Sequence, residues 1–329
     1  MEVAAKQIRT TPRPRCFLCG AEGKPLYENL RPRLFDAPGL WNFKLCLNLT
    51  CGLVWLDPMP VPEDLPLAYQ NYFTHGQDGN SRPTLRDALY RAYKAGSFLP
   101  ATIAGLQSAR EERTKMFLDN ADPGKLLDVG CGDGQFLRLM RRAGWIVDGV
   151  DFDRKAIENA KIKYGLELHH GDLASVRFPA STFDAITMSH VIEHVPDPLA
   201  LLKECRRILK PGGRLIAATP NVNSLGHHHF GSCWLGLDPP RHLHLFSPIT
   251  LTQLGVQAGF HRADTWATAA NAQFFAEGSL SIARTGRHRF GARMTPGLVV
   301  RSLLFQFRAM IAHLARRDSG EECVLDAVK

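Results

Sequence analysis

The N-terminus carries basic residues and prolines but no apolar segment of the kind that directs export. Nor does any uninterrupted apolar run reach the ~20 residues needed to cross a bilayer. Both absences set the cytoplasm as the expected compartment. They also change the meaning of the eight cysteines. Without an export signal these are expected as reduced thiols or metal ligands, not as a disulfide framework. Acidic residues are missing altogether from positions 278–317, where Arg284, Arg287, Arg289, Arg293, Arg301, Arg308, Arg316 and Arg317 all fall. Those eight positive charges equal the formal net charge of +8, so the rest of the 329 residues is nearly balanced. Interleaving of aromatic and basic residues, a mark of nucleic-acid grips, is not evident, and the stretch 16–51 is not densely basic. The third glycine of a dinucleotide-binding G-x-G-x-x-G is also out of place: it comes one residue early, and Gln135 fills the position it would occupy.

What is present begins with Lys125-Leu-Leu-Asp-Val-Gly-Cys-Gly-Asp-Gly-Gln-Phe136, which reads as a buried strand, a glycine turn and a helix start. Asp128, Gly130, Gly132 and Gly134 fall at alternate positions, and glycines let a ligand lie directly against the backbone. The helix beginning near Gln135 would aim its N–H groups and positive dipole end at that ligand. Residues 145–150 read as a second strand ending at Asp151, an acidic side chain placed to bond both hydroxyls of a ribose. Asp153 is expected to cap a helix over 154–164. Residues 166–170 form a short third strand before Gly171-Asp172-Leu173, and 182–188 a fourth, running into Ser189-His-Val-Ile-Glu-His194. A helix over 196–209, the turn Lys210-Pro-Gly-Gly213 and a fifth strand at 214–219 follow. Alternating strands and helices are the pattern of an α/β fold with a doubly wound parallel sheet.

The run D-x-G-x-G-x-G, with the acidic residue, the Gly-Asp and the Lys-Pro-Gly-Gly turn in the same order, resembles the class I methyltransferases that use S-adenosylmethionine. The resemblance implies a Rossmann-like sheet and a cofactor site at Asp128, Gly130, Cys131, Gly132 and Gly134. Asp151 would take the ribose, with Phe152 beside it in the cofactor site, and Gly171, Asp172 and Leu173 the adenine edge. Ser189 and His190 would lie below the methionine moiety.

Cys16-Phe-Leu-Cys19-Gly20 and Cys46-Leu-Asn-Leu-Thr-Cys51-Gly52 are two cysteine knuckles, 26 residues apart. Such knuckles on a hairpin-sized spacer suit a tetrahedral structural zinc site of Cys16, Cys19, Cys46 and Cys51, with a redox pair or inert thiols as the alternative. The second knuckle leads into the apolar Gly52-Leu-Val-Trp-Leu-Asp-Pro-Met-Pro60. A four-cysteine zinc ribbon ahead of this core is similar to a bacterial group whose catalytic domain resembles the ubiquinone-biosynthesis O-methyltransferases. The expected organisation is a ribbon at 1–61, a helical linker or lid at 62–120, and a methyltransferase domain at 121–329. A basic helical insertion at about 272–317 precedes a last strand at 321–328. Within the lid, Tyr72 is the candidate for touching the methionine end.

Methyl transfer needs an aligned nucleophile and a group to take its proton, a role that suits histidine. His242 and His244, in an irregular loop beyond the fifth strand, are the first candidates, and His190 the next; a hydrogen-bonded structural role is the competing reading for each. Residues 298–314 read as an amphipathic helix, with Val299, Val300, Leu303, Leu304, Phe307, Met310, Ile311 and Leu314 on one face and Phe305 spoiling the other. Packing of that apolar face on the domain is the leading expectation; peripheral membrane contact or an acidic substrate is the other. The resulting expectation is O-methylation of a small-molecule, glycan or lipid-like acceptor. The alternatives are an RNA methyltransferase gripping nucleic acid through ribbon and arginines, and a non-catalytic zinc-dependent interaction module.

Overall fold

The structure, a computed structural model, describes residues 7–70, 105–292 and 294–329. Tyr72 and most of the expected lid lie outside them. The N-terminal part begins with β1 (Thr10–Thr11), β2 (Gly23–Leu30), β3 (Trp41–Cys46), β4 (Val54–Leu56) and β5 (Met59–Pro60). The central part supplies β6 (Lys125–Val129), β7 (Ile146–Asp151), β8 (His169–His170), β9 (Phe183–Ser189) and β10 (Leu209–Pro220). β11 (His244–Leu245), β12 (Arg262–Thr268) and β13 (Glu322–Val328) follow.

Seven strands form the main sheet in the order β12-β13-β10-β9-β6-β7-β8. Its parallel strands are mainly apolar because helices cover both faces: Leu126, Leu127, Ile186, Met188, Leu215 and Ala217 are all buried. β13 runs antiparallel between β10 and β12. β12 itself carried no signal that the sequence reading recognised. From β6 the chain winds outward through β7 and β8, then returns to lay β9 on the other side of β6. That reversal opens a crevice at the C-terminal ends of β6 and β9, where ligands of such sheets bind.

Local chemistry sets the helix starts. Helix α1 (Leu106–Thr114) precedes the sheet, and α2 (Gln135–Arg142) starts at Gly134. α3 (Arg154–Tyr164) is capped by Asp153, whose carboxylate accepts from Lys155 N at 2.9 Å. α4 (Leu173–Val176) is capped by Asp172, and α5 (Pro198–Ile208) by Asp197. α6 (Leu225–Phe230) leads to α7 (Pro248–Gln257), opened by a capping box of Ser247 and Thr250. The expected third strand shrinks to two residues, since only Val150 and Asp151 offer it partners.

The stretch 221–246, expected as an open irregular loop, is mostly buried and contains α6 and β11. β11 pairs with β4, so the N-terminal antiparallel sheet has the order β11-β4-β3-β2. Leu235, Leu237 and Leu245 enter one apolar cluster with Phe43, Val54 and Leu56. Between β12 and β13 lie α8 (Ala272–Thr285) and α9 (Pro296–Ala315). They pack on each other through small residues, Ala272, Ala276 and Ala309, around Phe305.

The face assignment of α9 departs in part from the sequence expectation: Val299 is buried as expected, and Leu303 and Met310 are half-buried. Phe305, read as the spoiler, is buried, while Val300, Leu304, Phe307, Ile311 and Leu314 are exposed. Buried with Phe305 are the polar Ser302 and Gln306. Gln306 donates to Ala269 O at 2.7 Å and accepts from Gln273 N at 2.9 Å, which lets a polar side chain sit inside. By length and mean hydropathy, 20 residues and 1.4, α9 is also apolar enough to span a bilayer, which amends the expectation that nothing in the chain is.

Candidate functional site

The glycine loop sits at the mouth of the crevice. Gly130, Gly132 and Gly134 have φ of 73°, 52° and 75°, a region that other residues rarely enter. A Cβ on Gly130 would come within 2.4 Å of Val191 Cγ2. The loop therefore presents bare backbone, with the N-terminus of α2 behind it. Asp128 is buried under it and accepts from Thr187 Oγ1 at 2.7 Å; burial raises its pKa to about 7. Cys131 is buried too, and burial pushes its thiol up.

Asp151, at the end of β7, reaches the same loop. Its carboxylate accepts from Gly132 N at 2.8 Å and from Asp153 N at 2.8 Å. The neighbouring Phe152 ring is exposed and meets Tyr69 edge-on at 5.2 Å. Gly171 N donates to Asp151 O at 2.9 Å, which ties the third loop to the second. Asp172 accepts from Ser175 N at 2.7 Å, and Leu173 is buried. The expected cofactor residues from 128 to 173 thus meet along one rim of the crevice.

Across the crevice lies a charged network, most of which the sequence did not reveal. His190, with φ of 55°, places Nδ1 3.2 Å from Glu193 Oε1 and Nε2 2.9 Å from Glu322 Oε1. Arg113 of α1 donates to Glu322 Oε1 at 2.7 Å and to Ser189 Oγ at 2.9 Å. Asn271 Nδ2 donates to Glu322 Oε2 at 2.6 Å, and Thr219 Oγ1 to Glu193 Oε2 at 2.9 Å. Burial would lower the His190 pKa, but the bonds and charges of Glu193 and Glu322 outweigh it and raise it to about 9. Burial would likewise lift Glu193, but His190 brings it down to about 2. Glu322 is held well below the usual carboxylate range by Arg113 and His190, against its own burial. A histidine held toward its charged form by two carboxylates is a poor proton acceptor, which ranks His190 behind His242 as a candidate base. The acidic pair Glu321-Glu322 inside an apolar strand was the one available signal; Arg113, on a polar helix, gave none.

The other two base candidates separate. His244 is sealed among Phe17 and Phe246, with its Nδ1 unpartnered among the described residues, and burial lowers its pKa to about 3. It stands on the ribbon side of β11 and serves packing there, a correction to its place among the catalytic candidates. His242 meets His194 ring to ring at 4.7 Å. Each fixes its tautomer on a backbone carbonyl: His242 Nδ1 lies 2.7 Å from Gly236 O and His194 Nδ1 2.9 Å from Arg241 O. Burial lowers both pKa values, so both rings are neutral with Nε2 left as the accepting nitrogen. The buried Asp238–Arg241 ion pair braces this turn, with the Arg241 guanidinium 4.1 Å over the Phe35 ring. Donor atoms of Glu193, His194 and His242 lie within 4.8 Å of one another, a spacing that a cation could use. Both Glu193 oxygens are already engaged by His190 and Thr219, so the group is knit as a hydrogen-bond network. The three consecutive histidines do not converge: His227 bonds Tyr27 Oη at 2.9 Å and Val222 O at 2.6 Å.

At the far end of the N-terminal sheet, Cys16 and Cys51 sulfurs are 3.7 Å apart and Cys19 and Cys46 sulfurs 3.4 Å. All four lie within 4.8 Å of one another. A tetrahedron of ~2.3 Å metal–sulfur bonds has edges of about 3.8 Å, so the donor set fits zinc. The Cys51 hydrogen bond pulls the Cys16 thiol down, while the same contact pushes Cys51 up and burial raises Cys46. The wider C-x4-C knuckle closes as a turn, with Cys51 N on Asn48 O.

Residues 104–262 match the family described as a methyltransferase domain. A ubiquinone biosynthesis O-methyltransferase from Haemophilus ducreyi is 39% identical over 107 residues, 30% of this chain and 45% of that protein. The one from Histophilus somni is 34% identical over 136 residues, 38% of this chain and 56% of that protein. The chain thus spans about half the length of these relatives. A solved structure described as a SAM dependent methyltransferase from Archaeoglobus fulgidus is similar over 68% of this chain and 93% of its own, with 19% identity and a TM-score of 0.45. With the glycine loop, Asp151 and the crevice in their places, residues 104–262 of this chain match a methyltransferase domain.

Proposed function

We propose that this protein moves the methyl group of S-adenosylmethionine to an oxygen of a small-molecule, glycan or lipid-like acceptor. The observation that carries the reading is one crevice with two unlike walls. One wall is a bare glycine backbone with Asp151; the other brings a neutral imidazole pair beside a locked ion network. The cradle that a Cβ at Gly130 would fill supports cofactor binding there. Gly130, Gly132 and Gly134 would lie against it, Asp151 would take its ribose, Phe152 would offer an apolar face to its adenine, and Ser189 would stand near its methionine end. When bound, it supplies a methyl carbon on a sulfonium, already activated for in-line attack. The chain then has to orient the acceptor hydroxyl, exclude water and take the proton. His242 Nε2 is our candidate to receive that proton, with Gly236 O holding the ring's other nitrogen. The charged network would fix the opposite wall, and the four cysteines would hold a structural zinc.

The test is methyl transfer from labelled S-adenosylmethionine into a cell extract, then fractionated into RNA, lipid and polar pools. Label in the lipid or polar pool supports the proposal. Label in RNA overturns it and makes the arginines of 278–317 a phosphate grip.

A further inference from the structure

Helix α9 is apolar on two sides. Its inner face buries Val299, Phe305 and Ala309 with the polar Ser302 and Gln306, and its outer face shows water Val300, Leu304, Phe307, Ile311 and Leu314. At ~100° per residue those five fall within an arc of roughly 80°, a continuous stripe three to four turns long. A contiguous apolar stripe on an exposed helix marks an interaction surface. We propose that the partner is an anionic lipid surface, on which α9 lies flat with its apolar stripe in the headgroup boundary.

Charge identifies the occupant. Arg301 and Arg308 lie exposed along one flank of the stripe, and Arg316 and Arg317 stand exposed just past its end. Asp318 pairs with Arg316 at 3.0 Å, but no acidic residue lies between Glu277 and Asp318 in the sequence. A bilayer bearing phosphate headgroups offers apolar interior and negative surface at the depths where the stripe and the arginines sit. A second copy of the chain fits poorly, because apposed stripes would bring arginines against arginines. A membrane-spanning course does not suit the helix either, since its inner face is taken by Ala272, Ala276 and the carbonyl of Ala269. The groove beside it, lined by Leu280, Ala283, Leu298, Arg284 and Arg301, continues the same mix of apolar floor and cationic edge.

The full chain should co-sediment with phosphatidylcholine vesicles containing phosphatidylglycerol, and release as salt is raised. The double variant Leu304→Glu, Ile311→Glu should lose roughly tenfold or more of that binding. Both side chains are exposed, so the fold is not at risk, and an unchanged Tm checks it. Wild type remaining in the supernatant, or the variant sedimenting equally well, overturns the proposal. A vesicle-independent dimer that the double variant abolishes overturns it in favour of a second copy. Methyl-transfer activity does not enter the measurement, so this proposal and the enzymatic one fail separately.

Discussion

His190 is worth more to the fold charged than neutral, because Glu193 and Glu322 bracket it. Its pKa is raised from 6.5 to about 9 in the folded chain. Stability linked to its proton is therefore fully present below about pH 6.5 and is lost as pH rises through 9. The sign is opposite for Glu193, whose contribution holds above 4.5 and is lost as pH falls toward 2. We expect the calorimetric Tm to fall between pH 6.5 and 9, and His190→Gln to have a lower Tm at pH 6.5 with a flatter decline. An unaltered slope in the variant would take His190 out of the account. His242 calls for a different measurement. In His242→Asn the amide can still donate to Gly236 O, while the accepting Nε2 is gone. Turnover should drop by about 10² to 10⁴, the usual worth of a general base, with cofactor affinity preserved. Equal loss of cofactor binding would instead point to a structural histidine.

Among elements, those with local chemical instructions were legible in the sequence. Asp153 announces α3, Ser247-Pro248 announces α7, and the glycine loop announces both the end of β6 and the start of α2. Elements defined by distant partners were not. β11 has two residues and exists only because β4 lies beside it, and β12 depends on β13. The same limit hid the site's far wall: Arg113 and Glu322 are 209 positions apart, and only Glu322, paired in sequence with Glu321, carries any local signal. α9 teaches the converse lesson. Its period was plain, but hydrophobicity alone misplaced part of its inner face, because its neighbour α8 and the turn before it offer amide and carbonyl partners to Gln306. A change of Gln306→Leu should therefore lower the Tm: Gln273 N would lose its acceptor at a cost of about 1–3 kcal/mol, while Ala269 O would keep only Ala272 N. A rise in Tm would show that the inner face prefers oil, and would weaken the reasoning for α9's orientation.

At the scale of the whole molecule, the ribbon and the catalytic sheet are not separable bodies. β11 is contributed by the chain beyond β10, yet it forms the edge of the ribbon's sheet, and His242 lies two residues before it. Stripping the metal should thus be felt at the crevice. A strong chelator, or Cys51→Ser, should release about one zinc per chain and lower both Tm and methyl transfer together. Loss of zinc with full activity would show the two parts to be independent.

The long reach of the Arg113–Glu322 pair also sets an order of events on the ribosome. At 5–20 residues per second, roughly 10 to 40 s pass between synthesis of the arginine and synthesis of its carboxylate. Throughout that interval the nascent chain can wind β6 to β10 and shape the glycine cradle, but the opposite wall lacks the residue that joins α1, His190 and Asn271. The crevice is thus completed late, after the sheet that carries it, and a chain still being made has half a site.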